Sequence, residues 1–366
     1  MNKVGIGIIG CGNISGAYLK AMADFSVLDI RALADLKPEA AQAAAAPLGL
    51  KACSVDELLR DEAIEIVVNL TIPAAHVEVG LQAIAAGKHV HSEKPLGLNV
   101  ADARRLIDAA ARRGLRVGCA PDTFLGGGHQ ACRQLVDAGA IGRAVAGTAF
   151  FMCPGHERWH PAPAFYYAAG GGPMLDMGPY YITALVNLIG PVARVAGITS
   201  RVRAQRTITS EPLRGQTIAV EVATHVAGTL EFDNGAVISI ATSFDVPKHR
   251  HAPIELYGTE ASLMVPDPNR FGGPVELVRT GDDWQAQPIT HGYADGNFRH
   301  RRRRPRARAA RQSPAALFGR ARAARARSDG GVPGVVRQWP PRHHSQPAGA
   351  TGGAVGQRTR LKRKPR

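Results

Sequence analysis

The 366-residue chain carries 45 lysines and arginines against 30 acids, a formal net charge of +15, which taken whole points to a phosphate-rich partner or an acidic membrane surface. Its distribution excludes that for most of the chain: from Arg299 onward there are 20 basic residues and one acid, Asp329, leaving residues 1–298 with 25 bases against 29 acids, a net of −4. Five cysteines, Cys11, Cys53, Cys119, Cys132 and Cys153, show no C-x-x-C pair and no even framework, which argues against a zinc site and a secreted disulfide scaffold.

The opening "MNKVGIGIIGCG" enters a strand pattern directly, without the basic and apolar regions of a signal peptide. No stretch approaches the roughly 18 apolar residues of a membrane span, so a cytoplasmic protein without membrane association is expected. Through the first 120 residues, Val/Ile-rich runs alternate with Ala-rich helical patterns: "VGIGIIG", "ISGAYLKAMADF", "LDIRALAD", "PEAAQAAAAPLG". This is the texture of a parallel sheet covered by helices. Ser54 and Glu57 have capping-box spacing before a short helix. There follow the strand "IEIVVNLT", a helix opened by Pro73 and closed by Gly87, the strand "KHVHSE", the helix "VADARRLIDAAARRG" and the strand "LRVGCAP".

Beyond Ile141 the patterns become longer strands with turn signals, "TIAVEVATHVAGTLEF" and "AVISIATSF", joined by a hairpin at Asp233, Asn234 and Gly235. With "IELYG", "ASLMV" and "VELVRT" beyond it, the expected second domain is a mostly antiparallel sheet carrying one helix after "GGGPMLDMG".

In "GIIGCGNIS", Gly10 and Gly12 fall between the first strand and first helix, where glycine permits a tight turn and close approach to a pyrophosphate. Ser15 stands at the third glycine position, and Asp35 closes the second strand 20 residues later, where a carboxylate can bind adenosine ribose hydroxyls. Alone the glycines describe an ordinary strand-to-helix turn; the flanking elements and Asp35 point to a dinucleotide. A carboxylate at 35 repels a 2′-phosphate, favouring NAD over NADP, with Lys37 partly offsetting that repulsion.

By "HSEKPLG" at 91–97 the chain resembles the glucose-fructose oxidoreductase, inositol dehydrogenase and rhizopine-catabolism (Gfo/Idh/MocA) family. The resemblance also rests on "NLTIPAAH" at 69–76, "FLGGGHQACRQLVDAGAIG" and "GGGPMLDMGPYYITALVNLIGP" at 170–191. It implies an α/β chain with an N-terminal Rossmann domain, a doubly wound parallel sheet, over residues 1–122. A second α/β domain with an open, mostly antiparallel sheet would follow over 123–297, that sheet often serving as an oligomer interface. The implied cofactor residues are Gly10, Gly12, Asn13, Ile14, Asp35, Thr71, Pro73, His76, Glu93 and Lys94. No metal is implied; His76 reads as a nicotinamide-side or structural residue, with no second ligand at metal spacing.

The family assigns catalysis to the lysine matching Lys94. A lysine suits proton exchange with a carbinol oxygen if burial or neighbouring charge lowers its pKa toward neutrality. In the family pattern D-x-G-x-H, Asp176 and Gly178 match while Tyr180 stands in place of histidine; a phenol there can still bond the substrate oxygen or act as an acid. Asp176 is equally well placed as a helix N-cap or first-turn acid. The implied activity is an NAD(P)-dependent oxidoreduction of a sugar, cyclitol or related polyol, working as a homo-oligomer. A non-catalytic sugar sensor and a nonfunctional truncation product are the alternatives.

The family's closing segments are not visible after Asn297. Read one nucleotide forward, codons compatible with "FRHRRRRPRAR" at 298–308 give "SGIGVADLAR", which resembles the family's continuation. Residues 298–366 are therefore expected to be an out-of-frame, disordered basic tail without a specific nucleic-acid partner.

Overall fold

Strand β1 (Val4–Ile9) is buried along its whole length because helices cover both faces of its sheet. Ile6 and Ile8 pack with Tyr18, Leu19 and Met22 of helix α1 (Ser15–Met22). Ile9 joins the opposite layer with Leu58 of α3 (Val55–Arg60), Ile84 of α4 (His76–Ala85) and Leu106 of α5 (Val100–Arg112). The computed structural model describes residues 3–294; the expectations attached to 298–366 lie outside the described residues.

The remaining strands of this sheet are β2 (Leu28–Ala34), β3 (Lys51–Cys53), β4 (Ile66–Asn69), β5 (His89–Ser92) and β6 (Val117–Cys119), with α2 (Pro38–Ala45) crossing from β2 to β3. All pairs are parallel in the order β3-β2-β1-β4-β5-β6. The order reverses between β1 and β4, the place where a crevice opens at the strands' carboxyl ends. The capping box on α3 forms: Glu57 N–H donates to Ser54 Oγ at 3.2 Å and Ser54 N–H to Glu57 Oε2 at 2.8 Å.

Among the described residues the second sheet has eight strands: β7 (Ala144–Met152), β8 (Val192–Ser200), β11 (His225–Phe232), β12 (Val237–Ser243), β13 (Ile254–Gly258), β14 (Ser262–Val265), β15 (Glu276–Val278) and β16 (Gln285–Ala286). Their order is β16-β15-β14-β13-β7-β12-β11-β8, antiparallel except for β7 with β12. β9 (Gln205–Thr207) and β10 (Thr217–Ala219) form a separate ribbon. The run read as one long strand, "TIAVEVATHVAGTLEF", is thus broken after Ala219. There the backbone turns aside to bond the loop at 164–169, Glu221 N–H donating to Tyr167 O at 2.8 Å.

Instead of one helix, this part carries α6 (Gly127–Asp137), the short α7 (Pro173–Asp176) and α8 (Gly178–Ile189). The glycines that open α6 hide it from propensity. In α8, Tyr181, Ala184, Leu185 and Leu188 recur at helical spacing and are buried against Leu230, Ile238, Ile240 and Leu256 of the sheet. Each buried leucine contributes about 1.5–3 kcal/mol, fixing the start of α8 and Asp176 just before it. The edge strand β8 leaves Val195 and Ile198 exposed.

Candidate active site

The turn from β1 into α1 leaves a cradle with two different glycines. Gly10 has φ +101°, and a Cβ there would lie 2.6 Å from the Leu70 carbonyl. Only glycine fits, because neighbouring β4 brings its backbone so close. A Cβ at Gly12 would meet nothing within 4 Å, so that side stands open. Ser15, buried at the third position, donates from Oγ to Gly12 O at 2.7 Å and ties the turn to the helix.

Asp35 follows β2 with Oδ2 accepting from Cys11 N–H at 2.7 Å and Oδ1 from Lys37 N–H at 2.9 Å. Each oxygen keeps a lone pair for a ribose hydroxyl. The apolar side chains Ile14, Leu36 and Ile72 follow strands β1, β2 and β4 and are exposed, an arrangement suited to the flat face of a base. These features fit a dinucleotide with its pyrophosphate at the open glycine.

Asn69, Thr71, Pro73 and His76 knit the next loop. Asn69 Nδ2 donates to His76 O at 2.9 Å and Thr71 Oγ1 to Asn69 Oδ1 at 2.7 Å. The His76 ring is buried, with Nδ1 2.6 Å from Pro95 O and Nε2 3.0 Å from Thr71 O. It clips this loop to the one carrying Lys94. No cluster of three metal-binding side chains exists among the described residues. Glu93 accepts from Tyr18 Oη at 2.7 Å on Oε1 and from Lys94 N–H at 3.0 Å on Oε2, so it too holds the loop.

Lys94 and Asp176, 82 residues apart, meet: Nζ donates to Asp176 Oδ1 at 2.8 Å and to its backbone O at 2.9 Å. Nζ also lies 5.2 Å from the centroid of the Tyr180 ring, a cation–π distance. The pair is largely buried, with side-chain exposures of 17% and 13%. Burial alone would lower the Lys94 pKa, but Asp176, followed by Glu93, outweighs it and holds the ammonium above its ordinary range. Burial likewise works against the Asp176 carboxylate, yet hydrogen bonds from His156 and Lys94 keep its pKa below the usual value.

The condition of a pKa lowered toward neutrality is therefore not met at Lys94, where the Asp176 charge outweighs burial. Burial, then the charges of Glu93 and Asp176, raises the Tyr180 pKa, so its hydroxyl is a donor. Asp176 ends α7 and its side chain does not cap α8, whose N-cap position is Met177.

Sequence reasoning did not single out His156. Its Nε2 lies 3.0 Å from Asp176 Oδ2, and Trp159 Nε1 lies 3.0 Å from its Nδ1. Two histidines and a tryptophan within "HERWH", just after the carboxyl end of β7, were the available signal.

A doubly wound sheet with an open glycine turn and Asp35 at its carboxyl edge, beside a buried lysine–carboxylate pair, has the layout of a dinucleotide-binding α/β protein. Residues 4–120 match the oxidoreductase family model with an NAD-binding Rossmann fold, and residues 129–264 match the GFO/IDH/MocA C-terminal domain. The chain belongs to the Gfo/Idh/MocA family, and its residues 4–120 are an NAD-binding Rossmann domain. It is 34% identical over 235 residues to dTDP-3,4-didehydro-2,6-dideoxy-alpha-D-glucose 3-reductase from Streptomyces violaceoruber, covering 62% of this chain and 66% of that one. It is 29% identical to 1,5-anhydro-D-fructose reductase from Ensifer adhaerens, covering 59% of this chain and 61% of the relative. An NAD-binding oxidoreductase from Klebsiella pneumoniae superposes with a TM-score of 0.67 at 25% identity, over 78% of this chain and 79% of the other. Among the described residues no helix is long and apolar enough to cross a membrane.

Proposed function

We propose that the protein transfers a hydride between NAD(H) and the carbonyl or carbinol carbon of a sugar, cyclitol or related polyol. The observation that carries this reading is the buried contact of Lys94 Nζ with Asp176 Oδ1 at 2.8 Å, with the Tyr180 ring 5.2 Å from the same Nζ. A sugar sensor has no need of a buried proton donor at the mouth of its dinucleotide cleft. Two of the relatives are named as reductases of keto sugars, and a site that holds its protons at rest suits carbonyl reduction.

Nicotinamide, when bound, supplies the hydride. Gly10, Gly12, Asn13 and Ile14 hold the dinucleotide's phosphates, Asp35 its ribose, and Thr71, Pro73, His76 and Glu93 shape the wall facing the ring. Lys94 points its ammonium at the substrate oxygen and gives up a proton as negative charge develops there, a role worth about 10²–10⁴-fold in rate. Asp176 keeps that proton in place beforehand, and Tyr180 bonds the same oxygen.

The division at residues 122/123 and a homo-oligomer built on the open second sheet belong to this reading. So does the shifted frame beyond Asn297; genomic reads across the codons for 295–300 separate a nonfunctional truncation product, whose reads repeat the written frame, from an enzyme whose reads restore the family's continuation. The function is tested by following NADH absorbance against a panel of keto sugars, with the corresponding polyols and NAD in reverse. Reduction of at least one keto sugar is expected; NADH binding with no turnover across both panels would favour a sensor.

A further inference from the structure

We propose that His156 is a positioning residue for the Lys94–Asp176 pair, held by Trp159 in the single neutral tautomer that donates to Asp176. The proposal rests on the reading of Lys94 given above. An indole N–H can only donate. Trp159 Nε1, 3.0 Å from His156 Nδ1, therefore makes that nitrogen the acceptor and leaves the ring proton on Nε2. Nε2 faces Asp176 Oδ2 at 3.0 Å, while Oδ1 accepts from Lys94 Nζ at 2.8 Å. The carboxylate is thus gripped from two sides, by the loop after β5 and the loop after β7.

The second grip is itself anchored. The His156 ring packs against both Tyr166 and Phe244, with centroids at 4.4 and 4.6 Å. Its backbone N–H donates to Tyr167 Oη at 3.1 Å. That hydroxyl donates to Glu157, which pairs at 2.7 Å with Arg206, a guanidinium 1% exposed that also bonds Phe244 O at 2.7 Å and pairs with Asp245. Removing one partner of a buried pair leaves an uncompensated charge behind, so the loop bearing His156 is a firm support. Lysine ends in a point charge on a flexible four-carbon stem. Its direction is set by the carboxylate it meets, and the carboxylate's direction by His156.

The test uses the full chain and two readouts that need no turnover. Nitrogen and carbon NMR of labelled histidine, with His156 assigned by its loss in His156→Gln, should report the Nε2–H tautomer. Trp159→Phe keeps a ring at the surface but removes the indole N–H, and should mix the tautomers. Competitive acetylation read by mass spectrometry then follows Lys94, which reacts only as the free amine. His156→Phe should raise its rate by about threefold or more, a fraction of the effect of a lost hydrogen bond to a charged group. His156→Gln, whose amide can donate to Asp176, should restore the slow rate.

An Nδ1–H tautomer, an unchanged tautomer in Trp159→Phe, or equal acetylation in His156→Phe and wild type would overturn the proposal. If His156→Phe does not fold, the Trp159→Phe tautomer decides alone. Full activity of Lys94→Ala would sink the catalytic reading instead, leaving the tautomer and acetylation results standing.

Discussion

Replacing Asp176 by asparagine keeps the side chain's shape and removes the charge facing Lys94. At the observed 2.8 Å, two unit charges attract by ~6 kcal/mol at an effective dielectric of about 20. Much of that is offset by desolvation, and removing one partner of a buried pair costs about 3–5 kcal/mol. The chain can escape by releasing the lysine proton. At pH 7, for a lysine of ordinary pKa, that costs about 4.6 kcal/mol at 1.36 kcal/mol per unit, so both routes give the same scale.

A thermal melt followed by circular dichroism should show Asp176→Asn lower by roughly 10 °C at pH 7, at about 2–4 °C per kcal/mol. In the wild type the raised Lys94 pKa gives stability fully present below the unfolded value and lost as pH rises through the folded one. In the variant, the unpartnered lysine binds its proton less readily folded than unfolded, so stability climbs with pH toward the lysine range. The gap between the proteins should therefore narrow from pH 7 to pH 9.5. A variant that melts with the wild type at pH 7, or a gap that stays constant, would refute the assignment of a stabilising ion pair.

The carboxylate of Asp35 should make NADH bind more tightly than NADPH, and Asp35→Ala should narrow that gap in a fluorescence titration; tighter NADPH binding by the wild type refutes the assignment. Burial, reinforced by Glu93, pushes the Asp122 carboxyl up to about 6, so its ionisation destabilises the fold as pH rises through that value. Asp122→Asn should then stabilise the protein by up to roughly 3 kcal/mol at pH 8 and very little at pH 4; equal effects at both pH values count against it. If the open sheet joins copies of the chain, Ile198→Lys on the exposed edge strand should lower the mass found by light scattering, and an unchanged mass places the interface elsewhere.

The nucleotide-binding half was legible because its parallel strands are buried on both faces and so appear as unbroken Val/Ile runs, punctuated by Gly10, Pro73 and Gly87. Lys94 could be placed from its position one residue beyond "HSE", at the carboxyl edge of that sheet. The second half was less legible. Glycines at the start of α6 masked a helix, and the strand pattern through 217–232 hid a detour made by tertiary hydrogen bonds at Glu221.

The protonation of Lys94 could not be read from its neighbours in the chain, since the deciding charge comes from Asp176, 82 residues away. His156 had no periodicity to mark it. Its role depends on where the loop after β7 lies relative to α7, which the Arg206 network fixes and local sequence does not encode.

The most direct measurement of the central claim is the single-turnover rate of NADH oxidation by Lys94→Ala, with a keto sugar that the wild type reduces, beside its NADH affinity. The rate should fall by about 10²-fold or more with NADH binding retained, and Tyr180→Phe should give a smaller loss. A Lys94→Ala protein that turns over at close to the wild-type rate while Tyr180→Phe is inactive would contradict the account and assign the proton to the tyrosine.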